Sequence, residues 1–369
     1  MKKKVGVTGA AGFIGQHLVS ALKLTGLEPV IFEDDICNVQ RVKEFVSRCS
    51  VIFHLAAKHR APEEEILKVN IQGAKNLVSA AKDYGNRRLI LMSTNYISRY
   101  PDSAYSKTKL FTEKIFFEIA GVHGCSAIIF RFPNAYGPGS RPFYNSGVAT
   151  FCWYEANGLG DKMPIFGDGR QKTDYIAIDK VIDLLIDSQS WKDDFKKVDV
   201  TGDIFSVRDL ADIIHDPKKR KKYPALEGTW KFFAKPRLLP EKPLKAYPVH
   251  INASGSFQEL IHEGEITIGQ LSLCTIEAAN QRGGHYHTRK EEWFYPIQGK
   301  IALDFYTKEA QYLQTQLLTT DSPKFIYIPP GYLHVVRNLG NEVAKFLILC
   351  NEKFNPDDAD TYRAKVHIL

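Results

Sequence analysis

Residues 283–299 constrain the fold of this 369-residue chain more than any other segment. They read GGHYHTRKEEWFYPIQG and contain His285, His287 and Glu292. Alternate side chains of an extended strand point to the same face, so the two histidines are expected side by side. Two imidazoles followed by a carboxylate at this spacing indicate a metal site carried by a β-strand.

A second segment, PPGYLHVVRN at residues 329–338, supplies the distant histidine His334. With His285, His287 and Glu292 it makes a set of three imidazoles and one carboxylate. A set of this borderline hardness suits zinc, manganese, iron or nickel. The alternative is a hydrogen-bonded pair of histidines at a strand end, without a metal.

The two segments together resemble the paired motifs of the cupin family. The resemblance implies an all-β, antiparallel jelly-roll barrel with a metal inside. It also implies that zinc or another divalent transition metal is bound by His285, His287, Glu292 and His334.

The start of the chain predicts a different kind of domain. Residues 4–7 form a short apolar strand, and the loop that follows leads into an amphipathic helix. Gly9, Gly12 and Gly15 allow a tight turn and let the backbone approach a pyrophosphate at the helix N-terminus. This arrangement predicts a dinucleotide-binding domain.

An acidic cluster ends the next predicted strand, residues 29–35. Glu33, Asp34 and Asp35 lie where an acid binds the adenosine ribose, and their charge favours NAD(H) over NADP(H). The alternative is that these acids cap the following helix. Further strands at 51–60 and 88–95 alternate with helices, which predicts a parallel, doubly wound α/β sheet of the Rossmann type.

Tyr105 and Lys109 are four residues apart, so on a helix both side chains share one face. An ammonium beside a phenol is expected to lower the pKa of the phenol. The pair can then pass a proton to or from a substrate oxygen while a hydride moves to carbon. Thr94, at the end of the preceding strand, faces the edge where such sheets bind ligands.

These motifs resemble the extended short-chain dehydrogenase/reductase family, which includes nucleotide-sugar epimerases and reductases. The resemblance implies Thr94 as the catalytic hydroxyl, Tyr105 as the acid/base and Lys109 as the cation that binds the ribose. The residues it implies for binding NADP(H) or NAD(H) are Gly9, Gly12, Phe13, Ile14, Gly15, Glu33, Asp35, Ile36, Leu55, Ala56, Ala57, Tyr105 and Lys109.

Substrate contacts are expected from two later segments of the same domain. By resemblance, Asn134, Asn145 and Ser146 bind the substrate. Many members of the family carry an arginine where this chain has Thr173, so the cation that meets the substrate pyrophosphate stays open. Arg170 and Lys172 are nearby candidates.

The pattern changes after residue 215, where prolines become frequent. The basic run Lys218–Lys222 lies between Pro217 and Pro224 and is interpreted as a solvated linker or loop. From about residue 247 the sequence is strand-like. We therefore predict a reductase domain over 1–245 and a cupin domain over 246–369.

Composition excludes several classes of protein. No apolar run approaches the roughly 18 to 20 residues that span a bilayer, and the net charge of +7 owes five positive charges to one short run. We expect neither a membrane nor a nucleic-acid partner. Six scattered cysteines without CxxC spacing indicate a reduced, cytoplasmic protein.

Over nearly its full length the chain resembles a family of bifunctional capsular polysaccharide enzymes. The resemblance rests partly on YNSGVATFCW at 144–153, GSFQEL at 255–260 and FNPDDADTY at 354–362. It implies a zinc-bound cupin that epimerises C3 of a UDP-linked 4-keto-6-deoxy acetamido sugar. It also implies a reductase that uses NADPH at C4, towards UDP-N-acetyl-L-fucosamine.

Two alternatives stay open at the level of sequence. One is a monofunctional nucleotide-sugar 4-keto reductase whose cupin is a structural module for dimerisation. The other is a non-catalytic sugar-nucleotide sensor, which the presence of Thr94, Tyr105 and Lys109 disfavours because a sensor needs no proton donor. A homodimer is expected by analogy with cupins.

Overall fold

A computed structural model describes residues 4–59, 61–235, 239–245 and 247–363 of the protein. The chain divides into two compact units, the first ending at Ala234 and the second beginning at Lys235. Residue 246, where the sequence predicts the boundary, lies outside the described residues. That boundary stays a prediction.

A six-stranded parallel sheet forms the centre of the first unit, in the order β2-β1-β3-β4-β5-β8. A smaller three-stranded sheet has the order β6-β7-β9. The strands are β1 Val5–Thr8, β2 Val30–Phe32, β3 Val51–His54, β4 Arg88–Thr94, β5 Ser126–Phe132, β6 Asn134–Tyr136, β7 Lys172–Ala177, β8 Phe195–Asp199 and β9 Asp203–Ser206.

Helices cover both faces of the larger sheet, because its central strands are apolar on both sides. Leu18 and Leu22 of the first helix are fully buried against one face, and Phe116 of the fifth against the other. The helices are α1 Phe13–Leu24, α2 Val39–Ser47, α3 Glu63–Tyr84, α4 Tyr96–Arg99, α5 Ala104–Ile119, α6 Gly147–Ala156, α7 Ile178–Asp187, α8 Val207–His215, α9 Pro217–Arg220 and α10 Pro224–Ala234.

The interpretation of Lys218–Lys222 as a linker or loop is wrong, because the run begins in a helix of the first unit; its four lysines are exposed to solvent, as predicted. Asp216 caps α9 by accepting hydrogen bonds from the Lys218 and Lys219 backbone N–H groups. Arg220 is only 3% exposed; its Nε donates to Glu227 Oε2 at 2.9 Å. The basic run therefore contributes one buried ion pair to a helical layer.

The second unit consists of antiparallel strands in two main sheets, in the orders β12-β19-β14-β17 and β16-β15-β18-β13-β20. A separate hairpin joins β10 and β11. The strands are β10 Val249–Asn252, β11 Gly255–Gln258, β12 Gln270–Ile276, β13 Gln281–Tyr286, β14 Glu292–Gln298, β15 Lys300–Tyr306, β16 Tyr312–Thr319, β17 Ile326–Ile328, β18 Leu333–Asn338, β19 Ala344–Cys350 and β20 Tyr362–Arg363.

Apolar side chains from both sheets of the second unit fill the space between them, among them Leu303, Phe305 and Phe346. The predicted combination of a Rossmann-type α/β sheet with an all-β, cupin-like unit is confirmed. None of the helices in the described parts of the chain is both long enough and apolar enough to cross a bilayer.

Candidate active sites

The glycine loop of the first unit connects β1 to α1 at the carboxyl edge of the sheet. Gly9 has φ +72°, and a Cβ there would lie 2.6 Å from the Ala56 backbone nitrogen. Gly12 occupies the N-cap position of α1 without a side-chain cap, which leaves the first-turn N–H groups of Phe13, Ile14 and Gly15 facing the loop. The loop therefore fits a dinucleotide pyrophosphate.

The end of β3 is tied to the glycine loop through Thr8. The Leu55 N–H donates to the Thr8 carbonyl at 3.2 Å, and the Ala56 N–H donates to Thr8 Oγ1 at 3.3 Å. Leu55, Ala56 and Ala57 thus border the loop at the point where the strand order reverses between β1 and β3. Open α/β sheets bind their ligands at such a switch point.

The acidic cluster follows β2, next to β1 in the sheet. Glu33 and Asp35 are exposed, whereas Ile36 is buried in the core. Asp35 Oδ1 accepts a hydrogen bond from the Cys37 N–H at 2.9 Å, and the cap of α2 is Asn38 rather than one of the acids. Carboxylate oxygens at this edge therefore remain exposed for a ribose.

Tyr105 and Lys109 lie on the first turns of α5, as the spacing predicts. Lys109 is 5% exposed, and its Nζ donates to the Met92 carbonyl of β4 at 2.8 Å. The same nitrogen lies 5.6 Å from the centre of the Tyr105 ring. The pair is thereby anchored near the end of β4, where Thr94 accepts a hydrogen bond from the Tyr96 N–H.

The expectation that Lys109 lowers the pKa of Tyr105 is wrong for this structure. Burial raises the pKa of Tyr105 to about 12. Burial also lowers the pKa of Lys109 to about 8, against the opposing charge of Glu113. A desolvated phenol keeps its proton at neutral pH, which suits a group that must donate one.

His59 is a site residue that the sequence reasoning missed. Its ring lies 6.0 Å from that of Tyr105 and 5.5 Å from that of Tyr144, and its Nε2 contacts the Asn145 amide. Asn145 is therefore brought to the Tyr105 side of the unit. The only available signal was the position of His59, two residues beyond Ala57.

The other predicted substrate residues lie nearby in sequence but have different environments. Ser146 caps α6 by accepting a hydrogen bond from the Ala149 N–H at 3.1 Å. Asn134 is exposed on β6. Thr173 accepts a hydrogen bond from Arg99 at 3.0 Å, so Arg99 joins Arg170 and Lys172 as a candidate cation near this position.

The second unit gathers the predicted metal ligands between its two sheets. The candidate ligand atoms of His285, His287 and His334 all lie within 4.8 Å of one another. Glu292 comes from the opposite sheet, and its Oε2 lies 3.4 Å from His287 Nε2 and 3.6 Å from His334 Nε2. The structure thus brings all four residues together.

Backbone irregularities bring these side chains into one place. The pairing of β13 with β18 shifts register between Gly283 and His285, and a Cβ on Gly283 would lie 2.7 Å from the His334 carbonyl oxygen. Strand β13 ends at Tyr286, so His287 lies just beyond it. The Gly331 N–H donates to the His287 carbonyl at 2.6 Å and holds that turn.

The electrostatic state of the cluster suits a cation. Burial, aided by the neighbouring imidazoles, lowers the pKa of His285 to about 3. Burial also lowers the pKa of His334. Burial alone would raise the pKa of Glu292, but the contact with His287 and the other imidazoles bring it down to about 2.

Three buried atoms of the cluster, His287 Nε2, Glu292 Oε2 and His334 Nδ1, have no hydrogen-bond partner within the described residues. Unpartnered buried polar atoms are rare and call for a ligand. Neutral imidazoles, as at His285 and His334, and an ionised carboxylate are also the forms that coordinate metals. Burial opposes a charge on His287, but its contact with Glu292 raises the pKa of that ring, so a metal bound there would displace a proton. The residues therefore fit a divalent transition metal.

Two family models match the chain. Residues 5–188 match the NAD dependent epimerase/dehydratase family, and residues 250–362 match the Polysaccharide biosynthesis C-terminal domain. The first unit belongs to the NAD dependent epimerase/dehydratase family. The first match contains the glycine loop, Tyr105 and Lys109, and the second contains the histidine cluster. The resemblance predicted from the sequence is confirmed by this pairing of domains.

Individual relatives cover either the whole chain or its first unit. The chain is similar to the UDP-2-acetamido-2,6-beta-L-arabino-hexul-4-ose reductase of Pseudomonas aeruginosa, with 28% identity. The match covers 98% of the chain and 99% of that relative. The structure of the capsular polysaccharide assembling protein CapF from Staphylococcus aureus matches 98% of the chain and 100% of its own, with 22% identity and a TM-score of 0.47. MoeE5, solved with UDP-glucose and NAD, matches 60% of the chain and 82% of its own, with 25% identity and a TM-score of 0.51.

Proposed function

We propose that the protein is a two-step nucleotide-sugar enzyme. Its substrate is a UDP-linked 2-acetamido-2,6-dideoxy-4-hexulose, on the path towards UDP-N-acetyl-L-fucosamine for a capsule or O-antigen. The second unit epimerises C3, and the first unit then reduces the C4 ketone with NAD(P)H. The observation that carries the proposal is the cluster of His285, His287, Glu292 and His334, because such a set can hold a metal that acts as a Lewis acid on a carbonyl.

Support for the reduction comes from the relative that spans both units. The name of the P. aeruginosa protein describes a reductase of a UDP-linked hexul-4-ose. This chain keeps Tyr105 and Lys109 on the first turns of α5. A ketone at C4 of a UDP-linked sugar is therefore the substrate group that we assign to the first unit.

The chemistry of the sugar sets the order of the two steps. A proton on C3 is acidic only while C4 is a carbonyl, since the resulting carbanion must delocalise into an enolate. Reduction at C4 removes that acidity. Epimerisation must therefore precede reduction. Hydride transfer to C4 then draws the mixture of C3 epimers towards one product.

In the first unit, the chain's own groups handle the proton at the C4 oxygen. NAD(P)H, when bound at the glycine loop, supplies the hydride. Tyr105 donates its hydroxyl proton to the C4 oxygen, and burial keeps that proton in place at neutral pH. The Lys109 ammonium, on the same helix face, binds the ribose of the cofactor, and the Thr94 hydroxyl orients the carbonyl.

In the second unit, His285, His287, Glu292 and His334 would hold zinc or a similar divalent metal. Such an ion polarises a neighbouring carbonyl as a Lewis acid. The buried side chains of His287 and His334 exclude water from the site, so charge developing on an enolate there would interact strongly with its surroundings.

The choice of nicotinamide cofactor is proposed from the acidic edge after β2. Exposed carboxylates of Glu33 and Asp35 favour a ribose with a free 2′-hydroxyl, because a 2′-phosphate would meet like charge. We therefore propose NADH, although the family resemblance implies NADPH. Comparing kcat/KM for the two cofactors tests this choice.

NMR in deuterated water tests the whole proposal on the full-length protein. Without NAD(P)H, the UDP-linked 4-keto sugar should exchange its C3 proton for deuterium; with cofactor, a single reduced product should accumulate. Tyr105→Phe should keep the exchange and lose the reduction, whereas His287→Ala should do the reverse. Reduction without any C3 exchange would favour the structural-module alternative for the second unit.

We also propose that the protein acts in the cytoplasm as a homodimer. The nucleotide-sugar substrate and the reduced nicotinamide are both expected there. Light scattering on the purified protein measures the oligomeric state, and a monomeric mass would contradict the second part of this proposal.

A further inference from the structure

Residues 354–363, here called the strap, lie beside β13, the strand that carries His285 and leads into His287. The strap ends in β20, which pairs antiparallel with β13 so that Tyr362 lies opposite Tyr286. The rings of these two tyrosines stack with centroids 5.4 Å apart. Strand β13 is consequently held between β18 on one side and the strap on the other.

Asp360 is the centre of the contact between the strap and the metal-site loop. It is 3% exposed and has a left-handed backbone with φ +41°. Its Oδ1 accepts hydrogen bonds from the Thr288 N–H at 2.9 Å and the Thr288 hydroxyl at 2.5 Å. Its Oδ2 accepts from the N–H groups of Arg289 at 3.0 Å and Lys290 at 2.8 Å.

The backbone of Asp360 acts directly on His287. The Asp360 carbonyl oxygen lies 2.5 Å from His287 Nδ1. A carbonyl can only accept, so Nδ1 carries the proton and Nε2 is left with its lone pair. Nε2 is the atom that faces Glu292 Oε2 at 3.4 Å. One contact therefore sets both the tautomer and the orientation of the ring.

We propose that Asp360 is a positioning residue for His287 in the metal centre. Its carboxylate fixes the three residues that follow His287, and its carbonyl, aimed by the left-handed backbone, fixes the imidazole. Partners of this kind orient the ligands that touch a metal. The inference rests on the proposed metal site and adds to it a residue 73 positions further along the chain.

The test compares Asp360→Asn with Asp358→Asn in the full-length protein. Asparagine keeps the size of the side chain and tolerates a left-handed backbone. It has one acceptor oxygen instead of two, so it cannot accept both from Thr288 and from the N–H groups of Arg289 and Lys290. Asp358 lies in the same strap. Its carboxylate forms an ion pair with the Arg289 guanidinium on the exposed surface. It is therefore a matched control for loss of charge.

The readout is the affinity for Zn²⁺, measured by competition with a chromophoric chelator. Asp360→Asn should bind Zn²⁺ about 10 to 100 times more weakly than the wild type, as for other partners of metal ligands. Asp358→Asn should differ by no more than about twofold. Equal affinity of wild type and Asp360→Asn would overturn the inference. Absence of Zn²⁺ binding by the wild type would instead overturn the proposed metal site.

A second measurement separates positioning from general stabilisation. The melting temperature of each variant is recorded without metal and with saturating Zn²⁺. A purely structural role would lower both values equally and leave the metal-induced increase unchanged, which would overturn the inference. A smaller increase for Asp360→Asn than for the wild type would support it.

Thr288→Val provides a milder variant should Asp360→Asn fail to fold. Valine keeps the branched shape and the backbone N–H but removes the hydroxyl that donates to Asp360 Oδ1. One lost hydrogen bond should weaken Zn²⁺ binding about threefold. Wild-type affinity in folded Thr288→Val would overturn the role given to the carboxylate.

Discussion

Replacing Tyr105 by phenylalanine tests the acid that we assign to the reduction. The substitution removes one hydroxyl group and keeps the ring, which lies 6.0 Å from the ring of His59 and 6.5 Å from that of Tyr96. Packing around α5 should therefore be unchanged. Any loss of turnover then reports the missing proton donor.

The expected loss follows from the state of the hydroxyl in the structure. Because burial raises the pKa of Tyr105 to about 12, the group is fully protonated at neutral pH and always available as an acid. General acid catalysis contributes about 10² to 10⁴ in rate. We expect kcat for reduction to fall by that factor, which corresponds to about 3 to 5 kcal/mol in the activation barrier.

The assay follows oxidation of NAD(P)H by its absorbance, with the UDP-linked 4-keto sugar as substrate. Tyr100→Phe is the control, because Tyr100 is 41% exposed and the centre of its ring lies 4.4 Å from that of Tyr96. It should retain turnover within about twofold. If Tyr105→Phe turns over at a rate near that of the control while binding NAD(P)H normally, Tyr105 is not the acid.

Three further outcomes are expected. Burial lowers the pKa of the Lys109 ammonium from 10.5 to about 8, so its charge is present below that pH. Reductive turnover should therefore decline as the pH rises through about 8, and a flat pH profile there would contradict this role of Lys109. Wild-type protein should contain about one transition metal per chain and His287→Ala should lose most of it, as elemental analysis will show. Arg220→Met should leave Glu227 with the exposed Lys231 as its remaining partner and lower the free energy of unfolding by about 1.5 to 3 kcal/mol. Lys221→Met, on the exposed side, should change it little in a denaturant titration.

Features that depend on neighbours in sequence could be predicted well. The strand predicted at residues 88–95 is observed at Arg88–Thr94, and the one at 4–7 is observed at Val5–Thr8. The spacing of Tyr105 and Lys109 gave their shared helix face because helical periodicity is a local property. His285 and His287 are likewise adjacent, although the strand ends between them.

Features that depend on burial or on distant partners could not be predicted. The rule that an ammonium lowers the pKa of a nearby phenol misjudged Tyr105, because desolvation raises that pKa in the folded structure. The basic run at 218–222 was misjudged for the same reason. Its composition indicates exposure to solvent, but Arg220 is buried with Glu227 and its guanidinium lies 4.0 Å from the centre of the Trp230 ring. His59 became visible only when the fold placed it between Tyr105 and Tyr144.

The contact between Asp360 and His287 also orders events during synthesis of the protein. The ribosome makes residue 287 first, and 73 residues must follow before the carbonyl that fixes its imidazole exists. Until then, strand β13 also lacks β20 as its neighbour. A nascent chain released or truncated before residue 360 would contain every metal-binding side chain without the means to align them. At the proposed metal site, tight binding of the ion is therefore expected only after residue 360 has been made and β20 has paired with β13.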